Sequence, residues 1–384
     1  MNSASFVGFD PSRVPSPSFV IDVAAIESNL QVLADVQARS GARVLAALKA
    51  FSVPALGALT RQYLCGTCSS GVHEALLAHR HYGGEVHVFS AAFKDSDMDA
   101  LLPIADHLVF NSVAQLHRFR ERALAAGVTL GIRINPEHSE GAVELYDPCA
   151  PCSRLGIPAA ELVGADLAGI TGLHFHTLCE QGYAPLARTL AAVEAGFGAL
   201  LADMEWVNFG GGHHITAPGY DIEGLIAGVR AFSERHSVQV YLEPGEAVAI
   251  RSGVLVAEVL DTPRNGIELA ILDTSATCHM PDTLEMPYRA EIFGAAEAGV
   301  KAHSYRLGGQ TCLAGDVIGD YSFDQPLALG RRLMFDDMAH YTLVKTNTFN
   351  GIELPSLVLW DSRDDSLTTI AEFGYADFAR RLGG

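Results

Sequence analysis

The sequence lacks the features of a membrane, an exported or a nucleic-acid-binding protein. Across its 384 residues no uninterrupted apolar run reaches the roughly 18 residues that a membrane span requires. The N-terminus MNSASFVGFDPSRVPSP has no basic stretch followed by an apolar core, so no signal peptide is expected and the cytoplasm is the expected location. Positive charge is scarce. Lys and Arg total 26 against 45 Asp and Glu, a formal net charge of −19, which repels phosphates and removes nucleic acid from the expected partners. An acidic surface can attract a polycation, but ordinary soluble proteins carry comparable charge. The seven cysteines form an odd set without framework spacing, which suits a reducing compartment. Two C-x-x-C pairs, Cys65/Cys68 and Cys149/Cys152, lack the partner spacings of a zinc site. Neither His213–His214 nor His79/His81 sits in an H-E-x-x-H pattern, so no metal is expected.

What is present is an ordinary globular balance, 49% apolar and 18% charged, on a chain long enough for one large domain and a smaller one. Ile26, Leu30, Leu33 and Val36 share one helical face, and a strand-like run ending at Leu48 follows. Further strand-like runs are YLCGTCS, EVHVFS, HLVFN, VTLGIRIN, ITGLHFHT, WVNFG and VQVYLE, with helical stretches such as APLARTLAAVEAGFGALLADM between them. Eight such units predict a closed (β/α)8 TIM-type barrel over residues 20–250. Beyond residue 250 the pattern changes to short strands with Pro, Gly and Asp turns: RSGVLVAEVLDT, IELAILDT, KAHSYRLGG, RRLMFDDM and SLVLWD. Residues 251–384, with 1–19, are expected to form an all-β domain.

Active sites of such barrels lie at the C-terminal ends of the strands. There the sequence offers Lys49, Ser69–Ser70, Arg133–Asn135, His174 and His176, Gly210–Gly212 and Glu243. Each has two readings. A lysine leaving a buried strand can snorkel to water, or its desolvated amine can form a Schiff base. Three glycines can be a plain loop, or can bring backbone N–H groups close to a phosphate. His174 reads as a core histidine, while His176, nearer the rim, can stack on a cofactor ring. A buried Glu243 needs a partner, and a protonated pyridine nitrogen would serve.

The ordered set ALKAFS, FHTLCE, FGGG, EPGE, GQTCLAGD and AHYTLVKTNTFNG resembles the fold-type III decarboxylases dependent on pyridoxal 5'-phosphate (PLP), the ornithine and diaminopimelate group. That group shares its barrel with alanine racemase, and the resemblance covers nearly the whole chain. It implies PLP as cofactor, carried by Lys49, with His176 against the ring and Glu243 at the pyridine nitrogen. It further implies cofactor contacts from Gly210, Gly211, Gly212, Gly245, Arg154 and Tyr341. Cys312 matches a cysteine that donates a proton across a dimer interface, with Asp316 close by as a substrate-binding residue, so a homodimer with shared active sites is implied. Taken alone, Cys312 also reads as a small buried hydrophobe and Tyr341 as a core aromatic.

Two departures bear on the substrate. Where ornithine and diaminopimelate decarboxylases read EPGR, this chain has Glu246. Replacing a carboxylate-gripping arginine by a carboxylate reverses the preferred charge. At about 4 Å and an effective dielectric near 20 that is worth several kcal/mol. A distal ammonium is therefore expected in place of a distal carboxylate. Leu313 stands where the group usually has an acid. EPGE together with TCHMPDTLEMPYRAEIFG resembles the members that decarboxylate carboxylated polyamines, with Asp282 and Glu285 as further anchors for a substrate amine; both also read as solvated loop acids. The competing expectations are a lysine/ornithine or diaminopimelate decarboxylase, and a catalytically silent homologue that binds PLP or serves a regulatory role.

Overall fold

The computed structural model describes residues 3–141 and 143–384. The chain divides into two compact units, residues 27–248 and residues 1–26 with 249–384.

The larger unit is a closed barrel of eight parallel strands: β1 Arg43–Ala47, β2 Gly66–Ser69, β3 Glu85–Phe89, β4 His107–Phe110, β5 Thr129–Asn135, β6 Ile170–His174, β7 Trp206–Asn208 and β8 Gln239–Leu242. β8 closes on β1 through Tyr241 opposite Arg43 and Leu242 opposite Val44. Every strand-like run read from the sequence over this region is one of these strands. The helix Val23–Ser40 leads into β1, and Ile26, Leu30, Leu33 and Val36 on its apolar face are fully buried. The connection from β5 to β6 differs from the other crossovers: its described residues contain only short 3-10 turns and the two-residue strand Ile157–Pro158. The helix Tyr183–Leu201, between β6 and β7, is long and apolar enough to pass for a membrane span by length and composition, which qualifies the expectation of no such stretch. Its Leu186, Leu190, Val193 and Phe197 are buried, while its Arg188 and Glu194 pair with Glu140 and Arg235.

Alternation along the strands fills the barrel interior. A middle layer takes Leu45, Cys68, Phe89, Val109, Trp206 and Tyr241 from six strands. The other two strands supply Gly131 and Gly172, because a Cβ at either would lie 2.5 or 1.9 Å from the Trp206 indole. One large ring thus occupies the volume that two neighbouring side chains would need. Stepping two residues toward the C-terminal ends from this layer reaches Ala47, Arg133, His174, Asn208 and Glu243.

The smaller unit is a ten-stranded sheet. Ser18–Asp22 lies between Gly253–Asp261, antiparallel, and Ser356–Asp361, parallel. Val317–Phe323 and Ser366–Ala371 are strands that the sequence reading did not separate out. Phe19, Leu255, Leu272, Tyr321, Phe323 and Phe335 form its main core. The N-terminal segment is held by Phe6 and Phe9 against Trp360, with ring centroids 5.0 and 4.9 Å away, and by Ser3, whose amide donates to the Asp336 carboxylate at 2.9 Å.

Candidate active site

Lys49 lies in the turn that leaves β1. That turn is tied to the neighbouring strands by Leu48 N–H to the Cys68 carbonyl at 3.1 Å and Ala47 N–H to the Pro244 carbonyl at 3.0 Å. The Lys49 Nζ comes 3.2 Å from His176 Nε2, and Gly211 N–H donates to His176 Nδ1 at 2.8 Å. Lys49 keeps some accessible surface inside the barrel mouth, but protein surrounds it. Burial pushes its pKa down, with Arg133 adding to the effect and Cys68 and Glu243 opposing it. Burial likewise holds His176 well below the ordinary histidine range.

Glu243 follows β8. Asn208 Nδ2 donates to its Oε1 at 2.7 Å, and His174 Nε2 lies 3.3 Å from its Oε2. Burial raises this carboxyl, but the contacts of His174 and Asn208 outweigh it and bring its pKa to about 2. Glu243 is therefore an anion at neutral pH, seated among donors. His174 is thus more than a core histidine: one nitrogen orients Glu243, and its Nδ1 is buried without a partner.

Arg133, 5% exposed, had no role in the sequence reading. Its guanidinium lies over the Phe89 ring at 4.7 Å and donates to the His176 carbonyl at 3.1 Å. Burial lowers its pKa to about 10, which leaves it charged. Arg154, by contrast, is exposed, and its backbone carbonyl accepts from Asn111; Arg133 is the buried cation of the mouth. Cys68 and Glu74 also face Lys49, and burial raises the pKa of each. The signal that reaches Arg133 is strand parity, because it lies on the same inward-facing row as Gly131.

The glycine run has a packing cause. A Cβ would lie 2.4 Å from the Phe175 carbonyl at Gly210, 2.4 Å from the Glu243 carbonyl at Gly211 and 2.0 Å from the Leu178 carbonyl at Gly212. Two of the three amides are committed within the protein, Gly210 N–H to Asn208 Oδ1 at 2.8 Å and Gly211 N–H to His176. Gly212 N–H makes no such bond among the described residues. Gly245 is also enforced by packing, since a Cβ there would lie 2.7 Å from that of Ala50.

Glu246 lies 3.2 Å from His214 Nε2. Glu180 and His214, from two separate loops, and Glu246, at the start of the short helix Glu246–Ala249, place ligand atoms within 4.8 Å of one another, a grouping that sequence spacing does not reveal.

The remaining expected residues belong to the sheet unit. Cys312 is exposed, and its amide donates to Asn350 Oδ1 at 2.8 Å. The Asp316 carboxylate, 5% exposed, accepts from Ser275 Oγ, Thr277 N–H, and Thr311 N–H and Oγ1. It is committed to fixing the Cys312 loop, where the sequence reading had it as a substrate contact. Asp282 and Glu285 share an internal cation: Lys345 Nζ bonds to both carboxylates. Tyr341 opens the short helix Tyr341–Val344.

The family model for pyridoxal-dependent decarboxylases, C-terminal sheet domain, matches residues 18–339. The chain is 43% identical over 380 residues to a carboxynorspermidine/carboxyspermidine decarboxylase of Campylobacter jejuni, covering 96% of this chain and 99% of that one. It is equally identical, 43% over 376 residues, to a carboxyaminopropylagmatine decarboxylase of Synechocystis, covering 97% and 96%. A crystal structure of the C. jejuni carboxynorspermidine decarboxylase with norspermidine superposes with a TM-score of 0.89 at 42% identity, covering 96% of this chain and all of that one.

Proposed function

We propose, from the premise that this chain belongs to the pyridoxal-dependent decarboxylase family, that it removes the α-carboxylate of carboxynorspermidine or carboxyspermidine to leave norspermidine or spermidine. The observation that carries the proposal is Lys49, a buried amine at the rim of the first barrel strand, in the same mouth as a buried carboxylate held ionised. PLP has an aldehyde, a ring nitrogen that can be protonated and an anionic phosphate. Lys49, Glu243 and the Gly212 amide offer a complement to each. Ser69 Oγ and His174 Nδ1 are buried without partners and supply further polar atoms for a bound group, so the residues present fit it. When bound, PLP supplies an electron sink for the pair released as the carboxylate leaves.

The chain's own groups would do the rest. Lys49 would hold the cofactor and later release the product amine. Glu243 would keep a proton on the ring nitrogen, its own charge secured by Asn208 and His174. His176 would lie against the ring. Cys312, an exposed thiol on the loop clamped by Asp316, would supply the proton that replaces CO2. A loop with that task suits a homodimer with shared sites, in which Tyr341 would contribute to the phosphate contacts. Glu246 would attract the far cationic end of the substrate, while an amine at Asp282 and Glu285 would compete with Lys345 for their charge. The seven free thiols suit a reducing, cytoplasmic setting.

The Synechocystis relative supports a second substrate, carboxyaminopropylagmatine, whose guanidinium end is also cationic. CO2 release from carboxynorspermidine, carboxyspermidine, carboxyaminopropylagmatine, diaminopimelate, ornithine and lysine tests the proposal. Turnover of a carboxylated polyamine far above diaminopimelate and the short diamino acids is expected. Preference for diaminopimelate, or no CO2 from any of them, would refute it. Sedimentation velocity checks the dimer.

A further inference from the structure

We infer that the Gly211 amide locks His176 into the tautomer bearing its proton on Nε2, and that His176 in turn holds Lys49 as a neutral, hydrogen-bond-accepting amine. The functional meaning of this lock rests on Lys49 being the cofactor-bearing residue.

Donor and acceptor chemistry leaves little choice. A backbone N–H only donates, so the 2.8 Å contact from Gly211 makes His176 Nδ1 an acceptor. An imidazolium is then excluded, because both its nitrogens carry protons. The neutral ring must hold its proton on Nε2, 3.2 Å from Lys49 Nζ. An ammonium also only donates, and two donors cannot share that contact. Lys49 must therefore accept, with the lone pair of a free amine.

The lock is rigid. Gly210 sits against His176 itself, where a Cβ would be 2.7 Å from the His176 Cβ and 2.8 Å from its Cα, and Gly211 is pressed against the Glu243 carbonyl. No side chain at these positions would let the amide approach the ring so closely. The surroundings favour the same state. Cys68, Glu74, Arg133, Cys179 and Glu243 face Lys49, and Arg133, His174 and His213 face His176. Burial and the Arg133 cation disfavour ammonium and imidazolium alike, while Glu243 opposes them for Lys49. An ordinary lysine has about one amine in a thousand neutral near pH 7.4. A lysine held neutral is ready to engage an aldehyde whenever it is not bonded to the cofactor.

Two measurements on the full-length protein freed of PLP test the lock. With histidine labelled in 15N, and His176→Phe used to assign its signals, Nδ1 should show the shift of an unprotonated nitrogen and Nε2 that of a protonated one near neutral pH. The opposite tautomer, or an imidazolium, would overturn the inference. The second is competitive reductive methylation across pH, read by peptide mass spectrometry. The chain has four lysines, Lys49, Lys94, Lys301 and Lys345, so exposed Lys94 serves as an internal reference. Lys49 should titrate below Lys94, and His176→Phe, which keeps an aromatic ring but loses the donor, should raise its midpoint by roughly one pH unit, about tenfold fewer neutral amines at a given pH. No change in that variant would also overturn it. Neither readout needs PLP. Borohydride reduction of the loaded protein, with the pyridoxyl adduct mapped, tests the cofactor role separately: an adduct on Lys49 with an unshifted midpoint defeats the lock alone.

Discussion

The two ends of the barrel use similar side chains for opposite purposes. At the N-terminal end stand Arg43, Glu85, His87 and His107; in the C-terminal mouth stand Arg133, Glu243, His174 and His176. Each set has one arginine, one carboxylate and two histidines. At the lower end the arginine and the carboxylate pair with each other, although Arg43 Nε, His87 Nδ1 and His107 Nδ1 are buried without partners. Glu85 bonds Arg43 through one oxygen and His87 Nε2 at 3.0 Å through the other. The His87 and His107 rings stack with centroids 3.9 Å apart and planes 12° from parallel. Glu85, His87 and His107 are close enough to share an ion, but an ion lies in the plane of each imidazole that binds it, and two stacked planes share no such point. That end is a plug. In the mouth no ion pair joins Arg133 to Glu243 among the described residues, the histidines are not stacked on each other, and a lysine amine faces the space between them. Identical residue types thus become packing or chemistry according to whether the cation and the carboxylate pair and the imidazoles stack, or whether these groups are left facing a third side chain.

This comparison can be broken at either end. The largest effect is expected from Lys49→Ala, which should abolish the pyridoxyl adduct trapped by borohydride and lower CO2 release at least ~10³-fold without unfolding the barrel; an adduct retained elsewhere would move the centre of the mouth. Glu243→Gln keeps the shape but not the charge. It should cost about 10²-fold in CO2 release, measured at saturating PLP so that cofactor loss does not contribute. Gly172→Ala, in the layer between the two ends, places a Cβ 1.9 Å from the Trp206 indole and should lower unfolding free energy by about 3 kcal/mol, read by denaturant titration. The mildest effect belongs to the plug. Burial, reinforced by His87, brings His107 from 6.5 to about 3. The unfolded chain then takes up the proton first, so this contribution is complete above pH 6.5 and declines as pH falls toward 3. His107→Gln should flatten the pH dependence of stability in that window by up to roughly 1 kcal/mol per pH unit, with CO2 release at neutral pH little changed. A large loss of activity in His107→Gln would show that the ends are coupled.

Much of the site was legible because strand ends are legible. The run ending at Leu48 places Lys49 at a rim, and EPGE places Glu243 and Glu246 just past β8. Arg133 was harder, because a strand reading GIRIN shows an arginine without showing which way it faces. Parity resolves this only once the register of all eight strands is known. The glycine run was recognised, but not the close approach to the carbonyls of Phe175, Glu243 and Leu178 that also requires it, nor that two of its amides are engaged within the protein. Asp282 and Glu285 read as unpaired anchors because Lys345 lies about sixty residues away in sequence.

The sequence by itself determined the alternation of strand and helix, the change to an all-β pattern near residue 250, and the set of groups available for chemistry. These depend on periodicity and residue type, which are local. Only the tertiary structure decided which of those groups are neutralised and which are not. Arg43 answers Glu85, Lys345 answers Asp282 and Glu285, and His176 faces Lys49 with its tautomer set by Gly211. The protonation state and remaining hydrogen-bonding capacity of a buried group depend on neighbours brought from distant parts of the chain.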